Sequence, residues 1–260
     1  MQNKSRDLPI AVIDSGVGGI SVLRELMRIM PNENYIYYGD SANAPYGEKS
    51  RDEVLFITQR NFEYLKGLGI KALVIACNTA TSAAVKTLRK DNPDMPIIGV
   101  EPAIKPPAFM LQNPRVLVMA TPLTLREKKF CELVERFADK EEIIPLPCPG
   151  LVELIERGEL DSPELDAYLS ALFAPYREQK IDAVVLGCTH YPHVRESIAK
   201  HLPLGTLILD GGEGTARHTQ KRLTDLGLIS NSYKAGTVKI INTSSDPRLA
   251  VLSKKLLYRK

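Results

Sequence analysis

Several features that would mark particular protein classes are scarce in this chain of 260 residues. Neither sign of charge dominates: Lys+Arg total 34 and Asp+Glu 31, a net +3. No Lys/Arg run resembles a nucleic-acid-binding arm, so no nucleic-acid partner is expected. The longest apolar run, residues 72–77, is about six residues long. A bilayer span needs about 20, so no membrane partner is expected. The four cysteines, Cys77, Cys131, Cys148 and Cys188, are widely spaced and form no CxxC pair. That argues against a zinc knuckle and a disulfide framework. The opening MQNKSRDL lacks the apolar stretch of a secretory signal. Together these absences fit a reducing cytoplasm. With 44% hydrophobic and 25% charged residues, the chain has the composition of one large or two small globular domains.

Short apolar runs alternate with amphipathic stretches. Strands are expected at residues 9–13, 35–38, 71–76 and 96–100 in the first half. In the second half they are expected at 115–120, 143–146, 181–187 and 206–210, with one more at 237–241 in the tail. Ile20, Leu23, Met27 and Met30 fall at helical spacing, and Pro31 ends that helix. Ser50 with Glu53 forms a capping box opening a helix to Gly67, and a small-residue helix is expected near 81–90. Thr121 is placed to cap a helix to about 138, and a short helix is expected near 151–157. Ser162-Pro163 opens a helix to about 179, another helix follows Pro192, and two more are expected at about 214–226 and at the C-terminus. Near-continuous apolar strands between helices imply parallel sheets covered on both faces: an α/β fold.

An internal repeat is present. Residues 72–79 (ALVIACNT) lie over 183–190 (AVVLGCTH), and, more weakly, 10–15 over 116–121. Each half thus has a first strand ending in a hydroxyl residue and a later strand ending in a cysteine. In open α/β sheets ligands bind beyond the carboxyl ends of the strands, where Cys77 and Cys188 fall. Two facing lobes would bring both cysteines to one cleft. There one thiolate could remove a proton from a substrate carbon while the other, as thiol, returns one to the opposite face. A strand-to-helix turn favours an anion and lowers a thiol pKa from its usual value near 8.5. Buried free cysteines are often plain core filling, which suits Cys131 and Cys148.

Other polar residues gather at the same strand ends. His190 could relay the Cys188 proton, although a histidine satisfied by a backbone carbonyl would look the same. Cys188-x-His190-x-x-His193 has metal-ligand residue types but lacks a fourth ligand, and Pro192 interrupts it; no metal is expected. Asp14 could hold a substrate ammonium or assist the nearby thiol, and the glycines at 16, 18 and 19 would let backbone approach a ligand. A competing reading takes Gly16-x-Gly18-x-x-Ser21 as a nucleotide loop with Asp40 on a ribose, making the chain a nucleotide-binding regulatory module. Serine at the third glycine position and the charge of Asp14 count against it. Pro45, Tyr46 and Gly47 could wall a small-ligand site. A substrate carboxylate would be held by Ser15, Asn78, Thr79, Thr121 and Thr189.

Five segments, VIDSGVGG (12–19), YYGDSANAPYG (37–47), VIACNTAT (74–81), CPGLVELIERG (148–158) and LGCTHYP (186–192), together resemble the glutamate racemases of the aspartate/glutamate racemase superfamily. The resemblance implies two facing pseudo-symmetric lobes, residues 1–98 with 211–260 and residues 99–210, the tail returning to the first. It implies interconversion of L- and D-glutamate without a cofactor, supplying D-glutamate for the bacterial cell wall. Cys77 then resembles the base acting on the D-enantiomer and Cys188 its partner on the L face. Asp14 assists the first thiol and His190 the second, and Glu156 is a supporting carboxylate, with Glu153 close by. The substrate-binding set is Asp14, Ser15, Tyr46, Gly47, Asn78, Thr79, Thr121, Thr189 and His190. Such racemases often form homodimers. A related substrate, aspartate or a hydantoin, is the alternative within the same chemistry.

Overall fold

The computed structural model of the chain describes residues 6–101, 103, 107, 111–126 and 128–259. The chain divides into two compact units, Met1–Glu101 with Gly212–Lys260, and Pro102–Gly211. In the first, β1 (Ile10–Asp14), α1 (Ile20–Ile29), β2 (Tyr35–Gly39), α2 (Arg51–Gly67), β3 (Ala72–Ile75), α3 (Asn78–Asp91) and β4 (Ile97–Gly99) alternate. In the second, β5 (Arg115–Ala120) is followed by α4 (Pro122–Arg126) and α5 (Lys128–Phe137). Then come β6 (Glu142–Pro147), α6 (Leu151–Glu156), α7 (Pro163–Phe173), β7 (Ala183–Leu186), α8 (Arg195–Ala199) and β8 (Leu207–Asp210). The returning segment adds α9 (Gly212–Asp225), β9 (Val238–Asn242) and α10 (Pro247–Tyr258) to the first unit.

Both sheets are parallel throughout. The first has the order β4-β3-β1-β2-β9 and the second β6-β5-β7-β8. Numbered within each unit, the first four strands share the doubly wound order 2-1-3-4, which places a crevice between the first and third strands. The sequence repeat holds at the level of register. Ile10 pairs with Ala72 and its counterpart Val116 pairs with Ala183. The matching amides close the same way, Ala76 to the Ile13 carbonyl at 2.8 Å and Gly187 to that of Met119 at 2.7 Å. The repeat is therefore structural as well as sequential.

Local chemistry explains the elements. Strands β1, β2, β3 and β7 are buried along their whole length, as apolar runs covered on both faces require. Ser50 and Glu53 form the capping box: Ser50 Oγ accepts from Glu53 N at 3.3 Å, and Glu53 Oε2 accepts from Ser50 N at 2.9 Å. Helices α9 and α10 pack on α1. At the other end of the sheet, Lys71 and Glu33 form a buried ion pair. Lys71 Nζ also donates to the Arg6 carbonyl at 2.5 Å, and Ser230 N donates to Glu33 Oε1 at 2.7 Å.

Two expected elements differ. The helix opened by Ser162 stops at Phe173, with a 3₁₀ turn at Ala174–Tyr176, short of residue 179, because Pro175 has no N–H to continue the ladder. The described residues on either side of 127, α4 and α5, are helical over the stretch expected from Thr121 to about 138; residue 127 itself lies outside the described residues. Helix α3 begins at Asn78 rather than near 81, since Cys77 itself is the cap.

Candidate active site

In the first unit the carboxyl ends of β1 and β3 carry the candidate residues. Asp14 closes β1 and is 1% exposed, and its Oδ1 accepts from Gly16 N at 2.9 Å. Helix α1 starts directly over it. A Cβ on Gly19 would stand 2.7 Å from Asp14 Cβ and 2.9 Å from Ala76 Cβ. The glycine therefore makes room for the chain's own Asp14 and Ala76. Cys77 has extended backbone (φ −76°, ψ 124°) and caps α3: its sulfur accepts from Ala80 N at 3.4 Å and stands 3.8 Å from Ser15 Oγ. Helix α3 is 14 residues long, so its positive end faces this sulfur. Asn78 and Thr79 form the first turn and are buried, and Asn78 Oδ1 has no hydrogen-bond partner.

The loop after β2 folds over the same end. Tyr46 is buried, and its hydroxyl donates to Asp40 Oδ2 at 2.7 Å. Burial, then the charge of Asp40, pushes the phenol well above its ordinary range, so it stays a donor; Cys77 and Asp14 act on it in the same sense. Gly47 follows in a 3₁₀ turn, Tyr46–Glu48. Asp40 is fully enclosed and also accepts from Asn61 Nδ2 at 2.8 Å, Asn43 Nδ2 at 2.9 Å and Thr243 Oγ1 at 3.0 Å. A ribose contact is thereby closed off, and Gly16 N is engaged by Asp14. The nucleotide-loop reading loses both of its anchors.

In the second unit β5 and β7 carry the matching ends. Cys188 follows β7 but is succeeded by a 3₁₀ turn, Tyr191–Val194, not by an α-helix N-terminus. Its companion is His190, whose Nδ1 lies 3.7 Å from the Cys188 sulfur and whose Nε2 lies 2.7 Å from Glu156 Oε1. Burial alone would lower the imidazole pKa. Hydrogen bonds to Cys188 and Glu156 outweigh it and raise His190 well above its usual value. Its partners are a thiol and a carboxylate rather than a backbone carbonyl. Glu156 ends α6, half-shielded, whereas Glu153 is exposed, which settles which glutamate meets the histidine. Thr121 follows β5; its Oγ1 accepts from Thr124 N at 3.3 Å. Thr189, between Cys188 and His190, is buried.

The remaining cysteines separate. Cys148 is buried, its thiol donates to the Leu146 carbonyl at 3.3 Å, and burial pushes its pKa up to about 12. Cys131 is exposed, against its expected place in the core. No group of three His, Cys, Asp or Glu side chains among the described residues could hold a metal ion. No helix among them is long and apolar enough to cross a membrane.

Sequence reading had passed over Asn61 and the 242–244 segment, Asn-Thr-Ser, which begins with the last residue of β9. An amide and two hydroxyls at the end of a strand were the available signal, since the other candidate residues share it.

Each unit therefore presents a cysteine beyond its third strand, Cys77 beside Ser15 and Cys188 beside His190. The Asp/Glu/hydantoin racemase family profile matches residues 10–219. A glutamate racemase of Clostridium perfringens is 46% identical over 260 residues, all of both chains. Two solved structures align along nearly the whole chain. The Francisella tularensis glutamate racemase in complex with D-glutamate has a TM-score of 0.84 at 28% identity, covering 98% of this chain and 95% of that one. The Escherichia coli glutamate racemase with L-glutamate and the activator UDP-MurNAc-Ala has a TM-score of 0.84 at 32% identity, covering 96% and 95%. The chain belongs to the Asp/Glu/hydantoin racemase family, and within it to the glutamate racemases. It is an isomerase of that group.

Proposed function

We propose that the protein interconverts L- and D-glutamate by two-base proton transfer without a cofactor, with Cys77 and Cys188 acting on opposite faces of one Cα. From D-glutamate, the Cys77 thiolate takes the α-proton. The electron pair left on Cα then takes a proton from the Cys188 thiol on the other face. The sulfurs finish with their protonation states exchanged, and the reverse reaction resets them. The observation that carries this reading is the shared register of β1–β3 and β5–β7, which puts Cys77 and Cys188 at equivalent places in the two units.

The neighbours fit distinct roles. Asp14 assists the first thiol, and His190, oriented by Glu156, exchanges the proton of the second. Ser15, Tyr46, Gly47, Asn78, Thr79, Thr121 and Thr189 hold the substrate. Their hydroxyls and the amides at the start of α3 stabilise charge as the α-proton leaves. Positioned proton transfer supplies about 10²–10⁴-fold of the acceleration, and water-excluding donors around the carboxylate must supply the rest. The D-glutamate formed serves peptidoglycan synthesis. Four free thiols suit a reducing cytoplasm.

Circular dichroism of L-glutamate incubated with the pure protein, with nothing added, tests the reading. The signal should decay to zero as the racemate forms. Cys77→Ala and Cys188→Ala should each abolish the decay; wild-type turnover in either would end the two-thiol scheme. Turnover of aspartate or a hydantoin, but not glutamate, would move the substrate while leaving the scheme.

A further inference from the structure

The loop carrying Tyr46 and Gly47 is tied from behind by the returning segment. Thr243 Oγ1 donates to Asp40 Oδ1 at 3.0 Å and accepts from Ala42 N at 3.0 Å. Its backbone N–H continues the ladder to the Gly39 carbonyl at 3.0 Å, and Asn242 Nδ2 donates to Ser41 Oγ at 2.9 Å. Asp40 in turn receives the Tyr46 hydroxyl on its other oxygen. One threonine hydroxyl therefore meets both the loop's Ala42 amide and the buried carboxyl group that fixes its aromatic ring. The ring lies in the same apolar cluster as Cys77.

We propose that Thr243 is a positioning residue for the substrate-binding loop, acting through Asp40 and Ala42. It touches neither sulfur, so it acts on how well the loop is preorganised to receive the amino acid. The inference rests on the substrate-binding role given to Tyr46 and Gly47 above. Without the hydroxyl, Ala42 N loses its acceptor and Asp40 Oδ1 keeps only Asn43. A hydrogen bond to a charged group is worth enough to make a change of about 10-fold in binding the expected scale. The effect belongs in KM, because the proton-transferring groups are untouched.

The test compares Thr243→Val, Thr243→Ala and Thr243→Ser in the full chain. It measures L-glutamate racemisation and hydrogen exchange of the peptide spanning 40–47. Val and Ala should raise KM for L-glutamate about 10-fold, with kcat within about 3-fold of wild type, and should speed exchange in that peptide alone. Ser should restore both. Wild-type KM and exchange in Val and Ala would overturn the proposal. So would a uniform loss of protection throughout the first unit, or a failure of Ser to rescue. If instead Cys77→Ala keeps its turnover, the two-thiol scheme falls, while the exchange result still judges the Thr243 tie by itself.

Discussion

Replacing Glu156 with glutamine removes one charge and almost no volume from a contact that holds the buried His190 imidazole beside Cys188, a proposed catalytic thiol. The Nε2–Oε1 distance is 2.7 Å, and the two side chains are 4% and 18% exposed, so solvent screens the pair weakly. The other tie on the ring, to the Cys188 sulfur, is long at 3.7 Å. Most of the ring's orientation therefore comes from Glu156. A hydrogen bond to a charged partner contributes about 1.5–3 kcal/mol, and 1.4 kcal/mol is tenfold. Glu156→Gln should accordingly slow racemisation about 10- to 100-fold. Losing a group that raises the His190 pKa should also shift the His190-dependent limb of the rate profile to lower pH. Stability carries the same signature. A folded-state pKa raised above the unfolded value gives stabilisation fully present below about pH 6.5 and lost as pH rises through the folded value. In Glu156→Gln that slope should flatten. Circular dichroism for rate and urea titration between pH 5 and 9 for stability are the assays. Glu153→Gln, exposed on the same helix, should behave as wild type in both. Full activity in Glu156→Gln with an unmoved profile would refute the reasoning.

Three further outcomes follow from the packing. Lys71→Met strands Glu33 in the interior, which costs about 3–5 kcal/mol; adding Glu33→Gln should recover much of it, and urea denaturation of the single and double variants would show whether it does. Gly19→Ala forces a methyl group against Asp14 and Ala76 and should cost about 1–3 kcal/mol, with activity falling further than stability because Asp14 is displaced; thermal melts and racemisation measured side by side check both. Cys131→Ser, on an exposed face, should leave stability within about 0.5 kcal/mol and turnover unchanged, and a larger shift in the melt would mean the thiol is buried after all.

Strands and caps were readable because their signals are local. A parallel strand buried on both faces, such as Ala72–Ile75, shows as an uninterrupted apolar run, and Ser50-x-x-Glu53 announces its helix within four residues. The half-sites were readable for the same reason: Asp14-Ser15 and Cys77-Asn78-Thr79 sit where apolar runs end. Boundaries failed where one residue plays two parts. Cys77 both ends a strand and caps a helix, so α3 began earlier than its small residues suggested. Cys131 was misplaced because a lone cysteine carries no directional pattern. Glu156 was separable from Glu153 only once the helix had a face, and Thr243 only once a distant strand had found its edge.

That distant strand has a consequence for how the molecule is made. The second unit is one contiguous stretch, whereas the first needs β9 beside β2 to finish its sheet. During synthesis, residues 10–99 leave the ribosome with β2 as an open edge, and the middle unit can close on itself well before that edge is covered. Only after residue 243 emerges can the Asp40 carboxyl group collect its last donor. The loop that carries Tyr46 and Gly47 thus stays short of its full set of ties until late in translation.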